Sequence, residues 1–134
     1  MIIDRISVIV FLALFGVIGL AIGGSILFIP DQFQANANII FPANPSLYSE
    51  VRAPGAFLTL IAVGILASVF IRDWRLYGLM GIAAVNLTYG LGRVVSLMLD
   101  GVPSITILIA MGVELLAGML AAYLVFAHQR QQLA

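Results

Sequence analysis

Asn86, Tyr89, Arg93, Ser96 and Asp100 fall at spacings of three and four along one mostly apolar stretch, Asn86-Leu-Thr-Tyr-Gly-Leu-Gly-Arg-Val-Val-Ser-Leu-Met-Leu-Asp-Gly-Val-Pro103. On a helix these five form one polar stripe on one face. An arginine at membrane depth costs roughly 2.5–3.5 kcal/mol at a helix centre on insertion scales, so it faces protein or water. The chemistry within its reach is ion pairing. Glu114, in the next apolar run, is the deep candidate partner; Glu50 and Asp100 are the shallow ones, reached if the guanidinium snorkels outward. Glu50 and Arg52 stand at the entrance to another apolar run. Counted from the outer ends of their helices, Arg93 lies about 9 Å deep, Glu114 about 16 Å and Asn86 about 20 Å. A lone buried Glu114 would be protonated, whereas an arginine beside it would keep it ionised. Tyr89 and Asn86 are placed to complete its hydrogen bonding.

The elements that must position these groups are four apolar runs. The chain has 134 residues, 63% hydrophobic and 9% charged, and its mean hydropathy is +1.16. A soluble domain carries about 25% charged residues, so this is an integral membrane protein of one domain, residues 1–134. Six arginines and no lysine balance six acidic residues. That charge balance calls for no nucleic-acid partner, and no basic cluster recruits anionic lipid. Without cysteine there is no disulfide, thiolate metal site or thiol nucleophile.

The first helix spans about 5–29, bounded by Asp4 and Pro30 and long enough for a hydrocarbon core of about 30 Å. A signal peptide is the rival reading, but the apolar run exceeds the usual length and Ala21-Ile-Gly23 is only a fair cleavage site. Ala13, Gly16, Gly19 and Gly23 give it a small-residue face for close packing, within the bundle or in a homodimer. Prolines and asparagines break the segment 30–53, while Ile39, Ile40, Phe41, Leu47 and Tyr48 are too apolar for a solvated linker. It is expected to fold back over the bundle mouth with a short turn of helix. Pro54 suits the first turn of a second helix, about 54–71, with Gly55, Thr59, Ala62 and Gly64 as further small surface. Arg72-Asp-Trp-Arg75 leads directly into a third helix, about 76–99, with Trp74 as an interfacial anchor. Gly101 and Pro103 separate it from a fourth, about 103–126, and a polar tail follows.

Arg5, Arg72, Arg75 and Arg130 cluster on one side of this layout, so the positive-inside rule places both termini in the cytoplasm. The expected fold is an all-α, four-transmembrane-helix antiparallel up-down bundle. Other chemistry finds little support. His128 is the only histidine and lies in the tail; Ser96 has no histidine or lysine to activate it. Gly90-Leu-Gly92 follows no strand and is not a phosphate loop. Asn86-Leu-Thr88 fits a glycosylation pattern but lies at membrane depth. No catalytic residue, metal site or cofactor is expected.

Glu50-Val-Arg52-Ala-Pro-Gly55, Gly92-Arg93-Val-Val-Ser96, Asp100-Gly101-Val-Pro103 and Glu114-Leu115 together resemble the small bacterial four-helix membrane proteins catalogued as domain of unknown function 4345. The resemblance covers nearly the whole chain. It implies a four-span bundle in a bacterial inner membrane with these charged positions as its signature, and no established activity. In helix number the chain is also similar to DoxX-type proteins, some of which serve as accessory subunits of redox complexes; that likeness is one of fold class alone.

Three readings of the cluster Arg93, Glu114, Glu50, Arg52, Asn86, Tyr89, Ser96 and Asp100 follow. It is a staple between helices, a pocket for a small amphiphile (lipid, quinone or sterol-like), or a docking surface for another membrane subunit. The expected function is a non-enzymatic accessory or amphiphile-binding subunit in the bilayer. The runner-up is a proton-coupled carrier or small membrane enzyme that titrates Glu114. No internal inverted repeat of the carrier kind is present.

Overall fold

The computed structural model describes residues 5–133. All regular elements among these are helical: α1 (Arg5–Phe28), α2 (Pro30–Ala35), α3 (Pro45–Phe70), a 3-10 turn at Arg72–Trp74, α4 (Arg75–Asp100) and α5 (Ile105–Leu133). Four of them, α1, α3, α4 and α5, are long and apolar enough to cross a membrane.

One boundary differs clearly from expectation. The second long helix begins at Pro45, not Pro54. Asn44 is in extended conformation, and its side chain accepts hydrogen bonds from the N–H groups of Ser46 (3.0 Å) and Leu47 (3.4 Å). A capping asparagine followed by proline is a complete start signal. Pro54 therefore lies inside α3, where it withholds the donor that the carbonyl of Glu50 would otherwise receive. The last helix also shifts. It starts at Ile105 after Ser104, whose carbonyl accepts from Ile107 and Leu108, and it continues through the polar tail to Leu133. His128 is half-buried on it.

The segment after α1 does fold back. α2 follows α1 with one residue between, and Asn38 takes a positive φ of 62°, a conformation asparagine tolerates. Thr106 Oγ1 of α5 then donates to the carbonyl of Asn36 at 3.1 Å. This exposed hydrogen bond reaches from the α1–α3 side of the molecule to the start of α5. Thr106→Val is expected to cost at most about 1 kcal/mol while speeding amide exchange over residues 36–44, read by hydrogen-exchange mass spectrometry.

Packing arranges the four long helices as two antiparallel pairs. In the first, a Cβ at Gly16 would lie 2.6 Å from Leu66 Cγ, one at Gly19 3.1 Å from Ala62 Cβ, and one at Gly23 2.7 Å from the Thr59 nitrogen. Gly55 answers from α3, where a Cβ would lie 2.8 Å from the Leu27 nitrogen. The small-residue face of α1 is thus occupied within the chain. Gly64 faces open space instead. In the second pair, Gly90 of α4 meets Leu115, and Gly118 of α5 meets Leu87. Backbones this close maximise dispersion contact, which drives helix association in lipid.

The pairs join mainly along α3 and α4, with α1 adding a smaller contact to α4, while α5 packs along α4 and makes no close backbone approach to α1 or α3. The shared core of Val8, Leu12, Ile65, Leu79, Ile82, Ala83 and Ala121 occupies the end where α1 begins and α5 finishes. Toward the opposite end, each pair is held by its own internal contacts.

Candidate functional site

Arg93 sits on the C-terminal half of α4, on the helix face that Gly90 turns toward α5. Leucine at 115 packs against that glycine, which brings α5 close enough for Glu114 to meet Arg93. The pair is bidentate: Nε of Arg93 donates to Oε2 of Glu114 at 2.8 Å, and Nη2 donates to Oε1 at 3.1 Å. A guanidinium fork matches a carboxylate in this geometry. The two side chains keep 31% and 18% of their surface exposed, so the pair is partly accessible. Among the described residues it is the one salt bridge.

Tyr89 lies one turn before Arg93, half-buried and within electrostatic reach of both Arg93 and Glu114. Asn86 donates from Nδ2 to the carbonyl of Ile82 at 2.9 Å, a bond within its own helix. Ser96 and Asp100 pair with each other at 2.8 Å on the exposed end of α4. The stripe therefore divides into an inner part around Arg93–Glu114 and an outer self-paired part.

Arg52 belongs elsewhere. Its Nη1 donates to the carbonyls of Leu27 and, at 3.4 Å, Phe28, while its guanidinium lies 5.6 Å from the Tyr48 ring centroid. A cation at the C-terminal end of α1 both fills unpaired carbonyls and favours the helix dipole. Arg52→Ala is expected to lose about 1 kcal/mol or more of stability, with Arg52→Lys recovering part; thermal unfolding in detergent checks it. Glu50 is exposed on α3 with no polar partner among the described residues. Arg93 thus pairs with neither Glu50 nor Asp100.

No group of three or more histidine, aspartate or glutamate residues among the described ones is placed to hold a metal ion. A shallow open depression at the start of α3 is lined by Ala43, Asn44, Pro45, Tyr48, Ser49 and Arg52. The sequence pattern gave no sign of it, because all of its lining precedes the turn at which the helix was expected. Arg75 is a second residue that the pattern passed over. It counted only among the arginines on one side of the layout, yet it is buried.

A family model described as Domain of unknown function (DUF4345) matches residues 8–125. The chain belongs to this family. The match begins in α1 and ends in α5, so α3, α4, most of α1 and α5, and the Arg93–Glu114 pair of this DUF4345 chain fall inside it. No curated protein and no solved structure matches.

Proposed function

We propose that the chain is a non-enzymatic membrane subunit that receives the polar head of a small amphiphile at the Arg93–Glu114 pair. The observation that carries this reading is what the pair leaves open. Arg93 uses Nε and Nη2 on Glu114, so Nη1 and the Tyr89 hydroxyl have no hydrogen-bond partner among the described residues. Donors without acceptors inside an apolar helix favour a ligand that brings acceptor oxygens, such as a lipid, quinone or sterol-like head group. The Asn36–Thr106 hydrogen bond joins the two helix pairs toward the same end of the molecule.

The bidentate grip favours this reading over a carrier or enzyme that works through Glu114, because both carboxylate oxygens are already engaged by Arg93. An accessory role beside a larger membrane complex fits the same surface. The likeness to DoxX-type proteins enters only as a helix count. The distribution of arginines favours cytoplasmic termini, and the family resemblance favours a bacterial inner membrane.

Native mass spectrometry of the gently solubilised protein, wild type beside Arg93→Ala, tests the reading. A small adduct present in the wild type and lost in the variant is the expected result. Another polypeptide co-purifying with both would point to the accessory role. Bare protein in both, with the variant merely less stable, would reduce the pair to a staple between α4 and α5.

A further inference from the structure

Arg75 opens α4 with only 8% of its surface exposed. Its Nε is fully enclosed and has no acceptor, and no described residue hydrogen-bonds or ion-pairs with its guanidinium. This group stays protonated under all ordinary conditions. Burying it without a counter-charge is strongly unfavourable, so its place in the fold calls for an anion.

The surroundings indicate which anion. Arg75 shares a helix face with Gly78, Leu79 and Ile82, all buried. Gly78 presses on Leu12 of α1 and Ser68 of α3. The arginine therefore stands at the end of the shared core, where three helices converge. Just outside it, Trp74 and Tyr77 are 48% and 69% exposed, the aromatic pattern found at lipid head-group level. Arg72 is exposed in the preceding 3-10 turn and adds positive charge there. The acidic residue of that turn, Asp73, is also exposed and makes no bridge to Arg75.

We infer that Arg75 forms a built site for the phosphate of a membrane phospholipid, with Arg72 on its rim. Guanidinium donors match phosphate oxygens bidentately, and a lipid at this level delivers a phosphate to the end of α4 without leaving the membrane. The site lies at the opposite end of the bundle from Arg93–Glu114 and does not depend on the function proposed for that pair.

The full chain in detergent, stripped of native lipid, is titrated with phosphatidylglycerol, with diacylglycerol of the same acyl chains, and with inorganic phosphate. Bound lipid is counted by native mass spectrometry. Phosphatidylglycerol is expected to bind the wild type at least about tenfold more tightly than Arg75→Gln, the size of one charged hydrogen bond. Arg75→Lys should fall between them, and Gly112→Ala, where a Cβ meets nothing within 4 Å, should bind as the wild type does. Diacylglycerol should show no dependence on residue 75. Equal retention of phosphatidylglycerol by wild type and Arg75→Lys and Arg75→Gln would overturn the proposal. So would inorganic phosphate that displaces the lipid at comparable concentration. Asp4, which the sequence places at the start of the first helix, lies outside the described residues. Should Arg75→Gln not fold, the lysine variant and the contrast between the two lipids on the wild type decide the matter.

Discussion

Arg93→Ala is expected to lower stability by about 3 kcal/mol, a drop of roughly 10 °C in thermal midpoint for a domain of this size. Removing the guanidinium leaves the Glu114 carboxylate at 18% exposure without either of its two donors. The reverse change, Glu114→Gln, should cost less, about 1–2 kcal/mol, because the amide oxygen still accepts one bond from the fork. The double variant Arg93→Met with Glu114→Met should recover to within about 1 kcal/mol of the wild type, since apolar pairs of similar volume replace buried ion pairs well. Unfolding followed by circular dichroism across this cycle measures the coupling. Additive losses, with the double variant the least stable, would mean that the two side chains act separately. Ligand retention is the independent readout: a stable double variant that has lost its adduct separates a binding pocket from a staple.

The second large effect is expected where α3 and α4 cross. A Cβ at Gly78 would overlap Ser68 Oγ and lie 2.8 Å from Leu12 Cδ2 and 2.9 Å from Ser68 Cβ. Ser68 cannot yield easily: it has no exposed surface, and its hydroxyl donates to the carbonyl of Ile65 at 2.6 Å. Gly78→Ala should therefore destabilise by about 2 kcal/mol, and Gly78→Leu should give no folded protein. Ser68→Gly in the Gly78→Ala background should return most of the loss. Gly24 and Gly112 provide the contrast, because a Cβ there meets nothing within 4 Å. Alanine at either should be neutral or stabilising by up to about 1 kcal/mol, from helix propensity alone. Thermal unfolding of the four single variants in one detergent tests the set, and equal losses at Gly24 and Gly78 would refute the crossing geometry.

The four long helices were legible because length and apolarity decide them: nothing else satisfies a backbone in lipid. The arginine stripe on α4 followed from spacing. Its partner did not, since Glu114, Glu50 and Asp100 all lay within reach of a long side chain, and only the approach of Leu115 to Gly90 chooses among them. Pro54 misled for a clear reason. Proline favours the first turn of a helix, but Asn44-Pro45 offers the same signal together with a capping side chain. Arg52 read as a member of the polar cluster because it lies two residues from Glu50. In the fold it caps α1, an interaction that depends on how two separate helices end beside one another. The burial of Arg75 has no local signal at all; it follows from three helices meeting at Gly78.

Proline at position 54 also acts as a depth gauge. The carbonyl of Glu50 that it deprives of a donor must find water or a head group, since leaving it in hydrocarbon costs several kcal/mol. In a bilayer, that would set one water line on α3 near Glu50. From there to the end of the helix at Phe70 is about 30 Å of axial rise, matching the thickness of a typical hydrocarbon layer. Counted from that line, α3 would have little length to give to tilt in such a layer. Measured from Arg75 along α4, Arg93 then stands about 27 Å up. In a layer of that thickness the Arg93–Glu114 pair would lie a few ångströms beneath the far surface, within reach of a head group from that leaflet.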